Sequence, residues 1–383
     1  MDDDFSTPNL QLFRPVYRID EVLLEIRKTL EIGWTGLGFK TVEFEKLWIE
    51  YTGHYNAHFL NSATAGLHLA MNILKNENGW KSGDEVITTP LTFVSTNHAI
   101  LYEGLTPVFA DVDEFLCIDP NSVLERISSR TRAIIFVGMG GSTGHYREIV
   151  KIAKKNNISV ILDAAHMAGT RLDGEIIGKE CDAIVYSFQA VKNLPTADSG
   201  MICFSNKKYD EIARKMTWLG INKDTYSRTI GDSAYKWKYD VEYTGFKYHG
   251  NSIMAAIGIV QLKYLDRDNA YRRQISVWYD NAFKSSKEVR PIPLPKNCES
   301  ARHLYQIEID NRDELLLALN RVGIYPGVHY RINSRYRMYK ELKGECPKAE
   351  QKSKRLLSLP IHLNLRRKDI QYISENVLKY SKL

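Results

Sequence analysis

Short apolar runs alternate with longer helix-like stretches between about residues 55 and 205. The runs cover residues 85–89, 107–110, 132–137, 159–162 and 183–187. Continuous apolar runs separated by helices are typical of a mostly parallel sheet that is covered by helices on both faces. We therefore predict an α/β fold in which a ligand binds beyond the carboxyl ends of the strands.

The pattern changes after residue 248. Helical spacing continues to about residue 285, and a strand over residues 304–309 and a helix over residues 312–322 follow. This predicts a large domain over residues 1–250 and a smaller C-terminal α+β domain over residues 251–383. No Pro-rich or Ser-rich linker marks the boundary between them.

Length and composition limit the class of protein. The chain has 383 residues, 44% of them hydrophobic, and can bury a large core. Its longest apolar stretches, residues 133–137 and 158–162, are far shorter than the roughly 20 residues that cross a bilayer. The opening Met1-Asp2-Asp3-Asp4 is acidic where a secretory signal is basic. We expect a cytoplasmic protein without a membrane partner.

Cysteine spacing and charge exclude further classes. The five cysteines lie far apart without paired spacing, so we expect neither disulfides nor a metal site. The net charge of +6 is spread along the chain without a Lys/Arg block. That distribution favours anionic small molecules over nucleic acid as ligands.

Asp163 follows the apolar run 159–162 and is predicted at the mouth of a buried strand. A carboxylate there is costly unless a cation or a hydrogen-bond donor pairs with it. Alternatively, Asp163 caps a helix that begins at Ala164.

Lys192 lies just after the run 183–187. A partly desolvated lysine can lose its proton and form a Schiff base, whereas most lysines are solvated surface charges. Taken together, Asp163 and Lys192 on successive strand ends indicate a pyridoxal site. The lysine would take the aldehyde, and the carboxylate would keep the pyridine nitrogen protonated.

Two further segments suggest ligand contacts. The small residues of Asn61-Ser62-Ala63-Thr64-Ala65-Gly66 lead into a helix predicted over residues 67–74. They could offer backbone N–H groups and the Thr64 hydroxyl to an anion, although a plain N-cap is equally compatible. Phe93 could lie flat on an aromatic ring, but a core phenylalanine is the commoner role.

Motifs spread over nearly the whole chain resemble those of the DegT/DnrJ/EryC1/StrS sugar aminotransferases. They are Gly33-Trp34-Thr35-Gly36, residues 61–65 and 83–87, Asp163-Ala164-Ala165-His166, residues 187–193, Gly245-Phe246-Lys247-Tyr248, and Leu359-Pro360-Ile361-His362. The resemblance implies a type I aminotransferase fold and a homodimer with shared active sites. It also implies glutamate as the amino donor and a nucleotide-linked keto-sugar as the acceptor.

The resemblance also implies pyridoxal 5′-phosphate (PLP) as cofactor, held as an internal aldimine with Lys192. Asp163 would pair with the pyridine nitrogen, and His166 would lie near the ring hydroxyl. The other implied contacts are Phe93 stacked on the ring, Ala63, Thr64 and Ser187 at the phosphate, and Lys247 reaching the phosphate from the second subunit.

The sugar side departs from the family pattern. Gln189 stands where a histidine is usual, and Gly138-Met139-Gly140-Gly141 replaces a His-x-Tyr-Gly run. We expect this glycine-rich loop to line the substrate side. His329 and Tyr330 resemble the family's sugar-side segment, although turn or core roles are equally compatible.

The sequence therefore predicts amino transfer from glutamate to a keto- or aldehyde-sugar, in the biosynthesis of cell-surface polysaccharide such as lipopolysaccharide, or of another amino sugar. An oxidised octulosonate-type sugar acid is an alternative acceptor. A PLP-dependent sugar dehydratase is a second alternative, but such enzymes carry a histidine where this chain has Lys192. A regulatory binding module would not need the intact pair of Lys192 and Asp163.

Overall fold

The computed structural model describes residues 8–222, 239–342 and 344–382, so the acidic opening Met1–Asp4 lies outside the described residues. The strands are β1 Leu10–Gln11, β2 His58–Leu60, β3 Glu85–Thr88, β4 Thr106–Phe109, β5 Thr131–Val137, β6 Ser159–Asp163, β7 Arg171–Leu172, β8 Glu175–Ile176, β9 Ala183–Ser187, β10 Gly200–Phe204, β11 Arg290–Pro291, β12 Cys298–Glu299, β13 Tyr305–Glu308, β14 Ile324–Tyr325 and β15 Leu356–Leu359. The α-helices are α1 Ile19–Ile32, α2 Phe39–Thr52, α3 Ala63–Glu77, α4 Val94–Tyr102, α5 Pro120–Arg126, α6 Tyr146–Lys155, α7 Lys207–Met216, α8 Ser252–Leu262, α9 Leu265–Phe283, α10 Arg312–Arg321, α11 Pro347–Arg355 and α12 Arg367–Tyr380.

A seven-stranded sheet forms the centre of the larger part of the molecule. Its order is β2-β10-β9-β6-β5-β3-β4, and β10 alone runs opposite to the other six strands. The five predicted strands correspond to β3, β4, β5, β6 and β9, which confirms the mostly parallel sheet. Sequence reasoning missed β2 and β10, although the apolar run of β10 after Gly200 could have indicated a strand.

Both faces of this sheet are buried, and this explains the continuous apolar runs. Along β5, Ile134 and Phe136 pack into one core cluster, while Ile135 and Val137 pack into the other. Successive strand residues point to opposite faces, so a sheet covered on both sides needs apolar residues at every position.

A separate core belongs to the C-terminal part of the chain. It begins with Ile275 in α9 and includes residues of β13, β15, α10 and α12. The predicted strand and helix appear as β13 and α10. Helix α8, however, packs on α1 and α2, and its Ala255 and Ile259 join the core of the large sheet. The small core therefore starts beyond residue 250, and the predicted domain boundary stays a prediction.

Among the helices described, none combines the length and the apolar character that a bilayer span needs.

Candidate active site

A cavity of about 570 Å³ lies at the carboxyl ends of the central strands. This volume is within the range typical of small-molecule sites. Every site residue predicted from the sequence lines it, except Lys247. The lining residues are Phe13, Ser62, Ala63, Thr64, Thr92, Phe93, Ser95, Val137, Asp163, Ala165, His166, Ser187, Gln189, Val191, Lys192, Asp198, His303, His329 and Tyr330.

Asp163 ends β6 with its side chain buried to 4% exposure. Thr96 Oγ1 donates to its Oδ2 over 2.8 Å, and the Ala165 backbone N–H donates to its Oδ1 over 3.1 Å. Burial raises the pKa of Asp163, while these two donors and the charge of Lys192 oppose that rise. The residues after Asp163 form turns, so the helix-cap alternative is wrong.

Lys192 follows β9, the strand that pairs in parallel with β6. Its Nζ lies 3.5 Å from Nε2 of His303. Burial lowers the pKa of Lys192 to about 8, and the negative charge of Asp163 opposes part of that shift. The solvated-surface alternative is therefore wrong, and at neutral pH a fraction of this amine is unprotonated.

His166 is buried between the cavity and the glycine-rich loop. The Gly140 backbone N–H donates to its Nδ1 over 3.2 Å, so the proton of the neutral ring is on Nε2, which lies 3.3 Å from the Tyr330 hydroxyl. Burial, with the charge of Lys192 as a second cause, lowers the pKa of His166 well below its usual range. The imidazole is thus a neutral N–H donor at the cavity.

The glycine-rich loop corrects one expectation. Gly138, Gly140 and Gly141 are buried and are absent from the cavity lining. A Cβ on Gly138 would lie 1.9 Å from Sδ of Met167, so a side chain there would require Met167 to move. The loop supports His166 from behind instead of lining the substrate side, so that prediction was wrong.

The start of α3 offers an anion site. Ser62 is the N-cap: its Oγ accepts from the Ala65 N–H over 3.1 Å, and its carbonyl accepts from the Gly66 N–H over 3.2 Å. In the described chain, no acceptor bonds the N–H groups of Ala63 and Thr64. Such groups, with a helix dipole behind them, are suited to a phosphate. The Ser62 cap is therefore compatible with an anion bound at the neighbouring N–H groups of Ala63 and Thr64.

Phe93 is 55% exposed and lines the cavity, with its ring 5.8 Å from that of Tyr330. The core alternative for Phe93 is therefore wrong, and its exposed ring is available for stacking.

Gln189 also lines the cavity, and its Oε1 accepts from the Val191 N–H over 3.0 Å. His329 is held through Nδ1 by the Ser358 hydroxyl at 2.9 Å.

Lys247 lies apart from these residues. Its Nζ is 3.2 Å from the ring centroid of Trp218, and its backbone carbonyl accepts from Nδ2 of Asn61 over 3.1 Å. Burial slightly desolvates the amine and lowers its pKa. Its predicted role toward a second subunit stays a prediction.

Sequence reasoning missed Thr96, His303 and Phe13. Thr96 lies in α4, and His303 lies 111 residues after Lys192, so no local spacing connects them to the strand ends. The ring of Phe13 stacks on His303 with centroids 5.3 Å apart and an interplanar angle of 10°. His303, between Arg302 and Leu304, belongs to no motif that singled it out.

The residues of the cavity fit PLP. The α3 start suits its phosphate, the buried carboxylate of Asp163 suits a protonated ring nitrogen, and the Lys192 amine suits an aldehyde. The exposed face of Phe93 suits an aromatic ring. Across residues 8–222, 239–342 and 344–382, no group of three or more His, Cys, Asp or Glu side chains is placed to hold a metal ion.

The fold and the cavity are those expected of an aminotransferase, and the cavity residues are compatible with PLP. The profile of the DegT/DnrJ/EryC1/StrS aminotransferase family matches residues 17–378, and the chain belongs to this family. Aminotransferases of the family are PLP-dependent. The match confirms the resemblance seen in the sequence motifs.

Individual proteins agree with this assignment. The spore coat polysaccharide biosynthesis protein SpsC of Bacillus subtilis is 34% identical over 371 residues, 93% of each chain. PseC, a Helicobacter pylori aminotransferase involved in pseudoaminic acid biosynthesis, is 27% identical with a TM-score of 0.90, covering 98% of this chain and 99% of that chain. Spr1654 of Streptococcus pneumoniae, solved in its PLP form, is 27% identical with a TM-score of 0.88 over 98% and 99% of the chains. These structures confirm the type I aminotransferase fold.

Proposed function

We propose that the protein moves an amino group from glutamate to a keto- or aldehyde-sugar. The preferred acceptor is a nucleotide-linked keto-deoxysugar that is destined for a cell-surface polysaccharide, such as lipopolysaccharide, or for another amino sugar. The observation that carries the proposal is the placement of Asp163 and Lys192 on the ends of paired strands, around one cavity.

The residues divide by the part of PLP that each would hold. Lys192 would form the covalent link, Asp163 would pair with the ring nitrogen, and His166 would donate its Nε2 hydrogen to the ring hydroxyl. Ala63, Thr64 and Ser187 would hold the phosphate, with Phe93 against the ring. When bound, PLP withdraws electrons from the carbon that carries the amino group.

Lys192 would also move the proton. Burial lowers the pKa of Lys192 to about 8, so in protein without a covalent link to PLP roughly a tenth of the Lys192 side chains are neutral at pH 7. A base with a pKa near the working pH is well matched to proton transfer. Because Lys192 lines the cavity, the same amine could take a proton from the donor and return it to the product.

Gln189, His329 and Tyr330 form the side of the cavity on which we place the sugar. A sugar acceptor is supported by family membership, and by the polysaccharide and pseudoaminic acid pathways for which SpsC and PseC are named. The polar groups of these three residues suit sugar hydroxyls. An oxidised sugar acid of the octulosonate type is the competing acceptor.

A homodimer is the second part of the proposal. Helix α1 exposes more than half of the side chains of Ile19, Leu23, Leu30 and Ile32. Soluble monomers rarely expose several large apolar side chains on one element, so this helix suits an interface with another copy. Lys247 would then approach the phosphate of the neighbouring site.

Single-turnover kinetics test the proposed reaction. Protein loaded with PLP is mixed with glutamate, and we expect loss of the absorbance of the bound cofactor together with one equivalent of 2-oxoglutarate. A nucleotide-linked keto-sugar should then restore the absorbance and gain an amine detectable by mass spectrometry. Lys192→Ala is the control that should bind PLP without the covalent link.

The outcomes separate the parts of the proposal. No release of 2-oxoglutarate at saturating glutamate would overturn glutamate as donor. If an octulosonate-type aldehyde restores the cofactor absorbance and nucleotide-linked keto-sugars do not, the acceptor is the oxidised sugar acid instead of the keto-sugar. Release of water from the sugar without amino transfer would indicate the dehydratase.

A further inference from the structure

His303 is a buried side chain whose ring contacts the amine of Lys192. It lies between β12 and β13 at 1% exposure, with Phe13 stacked on one face of its ring. Its Nε2 is 3.5 Å from Nζ of Lys192. Because the His303 ring is buried and stacked on Phe13, it presents a defined atom, Nε2, to the amine of Lys192.

A chain of amides fixes the hydrogen on the ring. Nδ2 of Asn269 donates to the Ala168 carbonyl over 2.9 Å, so its Oδ1 is the atom that accepts from Nδ2 of Asn193 at 2.7 Å. That Nδ2 also donates to the Ala301 carbonyl over 2.6 Å. Because carbonyl oxygens only accept, neither amide can be flipped without losing these bonds.

The remaining atom of Asn193 decides the tautomer. Its Oδ1 lies 3.1 Å from Nδ1 of His303 and can only accept, so Nδ1 carries the hydrogen. A neutral His303 then has its lone pair on Nε2, which faces Lys192. Burial, with the charge of Lys192 next, lowers the pKa of His303 well below its usual range, so the ring stays neutral.

We infer that His303 is a positioning residue that accepts a hydrogen bond from Lys192 through a tautomer fixed by Asn193. One hydrogen of the Lys192 amine is directed to Nε2 of His303. In the neutral amine, the lone pair therefore points away from His303 and is free to take a proton in the cavity. The inference rests on the proposed function, in which Lys192 is the PLP-linked amine.

The consequence can be measured on protein without cofactor. A neutral acceptor stabilises the ammonium form of a lysine more than the free amine, because bonds to a charged donor are stronger. Replacing His303 by Phe keeps a flat ring against Phe13 but removes the acceptor. The pKa of Lys192 should then fall by about one pH unit below its value in the wild type.

The experiment is competitive acetylation of the apo-protein across a pH series, with the Lys192 peptide quantified by mass spectrometry. The acetylation of Lys192 should have its inflection at a lower pH in His303→Phe than in the wild type. In His303→Gln the inflection should return close to the wild-type pH, because the amide oxygen can accept in place of Nε2. His329→Phe is the matched control, because this histidine lines the same cavity without a bond to Lys192 Nζ, and its inflection should stay at the wild-type pH. Thermal unfolding of each variant shows that it is folded.

With PLP and glutamate, His303→Phe should slow the single-turnover rate constant about tenfold without changing the glutamate concentration at half-saturation. An unchanged Lys192 inflection in a folded His303→Phe would overturn the inference, and so would an equal shift in His329→Phe. Failure of the proposed function is separate. It would appear as borohydride-trapped PLP on another lysine, whatever the acetylation of Lys192 shows.

Discussion

Thr96 donates its hydroxyl hydrogen to Oδ2 of Asp163 over 2.8 Å, from α4 to the end of β6. In this bond the carboxylate of Asp163 is the acceptor. The hydroxyl of Thr92 lies 3.0 Å from Thr96 Oγ1 and can donate to it in turn. Thr96 therefore helps to keep Asp163 ionised, although burial raises the pKa of this carboxyl. Two residues that are distant in sequence thus set the charge that faces the cavity.

Asp163→Asn should slow the glutamate half-reaction by about 10²–10³-fold, the range typical for losing one electrostatic contact to developing charge. Binding of PLP should weaken much less, because the phosphate, ring and lysine contacts remain. Single-turnover rates and equilibrium binding of PLP give the two values. A rate close to wild type would reduce Asp163 to a structural role.

Two controls accompany this variant. Thr96→Val removes the hydrogen bond but keeps the charge, and should slow the same step by about tenfold or less.

Burial raises the pKa of Asp163, so the folded protein favours the neutral carboxyl, and this contribution to the free energy of unfolding is lost as pH rises through that pKa. The uncharged Asn variant should therefore unfold at no lower temperature than the wild-type apo-protein at pH 7.

Capture of PLP by the apo-protein should depend on pH through Lys192. Only the neutral amine attacks an aldehyde, so the rate of formation of the borohydride-reducible link should rise with pH and level off above about 8, the pKa to which burial lowers Lys192. Stopped-flow absorbance measures the rate. Lys192→Ala should form no such link, and an inflection near pH 10 would mean that the amine is solvated.

Thr64→Val should bind PLP about 10- to 100-fold more weakly, because a hydrogen bond to a charged group contributes about 1.5–3 kcal/mol. Inorganic phosphate should protect the wild-type apo-protein from heat more than it protects the variant. Thr106→Val, at the amino end of β4, is the control with the same chemical change. Equal affinities for Thr64→Val and the wild type would leave Thr64 as a residue of the helix start only.

Gly140→Ala should harm His166 as well as the fold. Gly140 has φ of +62°, and an added Cβ would lie 3.2 Å from Oε1 of Gln306. A side chain in the left-handed region costs about 1–2 kcal/mol. Gly174→Ala is the control, with φ of +82° and open space around the added atom. Both variants should lose stability, but only Gly140→Ala should slow turnover. A higher Michaelis constant for the sugar alone would instead mean that the loop reaches the substrate.

Lys247 should act in the site of a neighbouring subunit. Chains with Lys192→Ala and with Lys247→Ala, refolded together, should form mixed dimers in which one site carries both changes and the other carries neither. Each mixed dimer should recover about half of the wild-type activity. Activity of the mixture that equals the sum of the separate variants would mean that Lys247 serves its own chain or only packs on Trp218.

The chain's local patterns were enough to predict five of the seven strands of the large sheet and to suggest a chemistry for the strand ends. Continuous apolar runs indicate strands buried on both faces, and a carboxylate and a lysine after neighbouring runs indicate a pyridoxal site. These inferences depend only on the period of two along a strand and on the alignment of carboxyl ends in a parallel sheet. The domain boundary at residue 250 stays a prediction, and α8, just beyond it, packs onto α1 and α2.

Only the tertiary structure decided which other side chains reach these two residues. Thr96 and His303 contact Asp163 and Lys192 from 67 and 111 residues away along the chain, and the glycine-rich loop turned out to support His166 from behind. Neither contact leaves a periodic signal, since each depends on how separate elements pack. Burial, which raises the pKa of Asp163 and lowers that of Lys192, likewise exists only once the surrounding side chains exclude water from the strand ends.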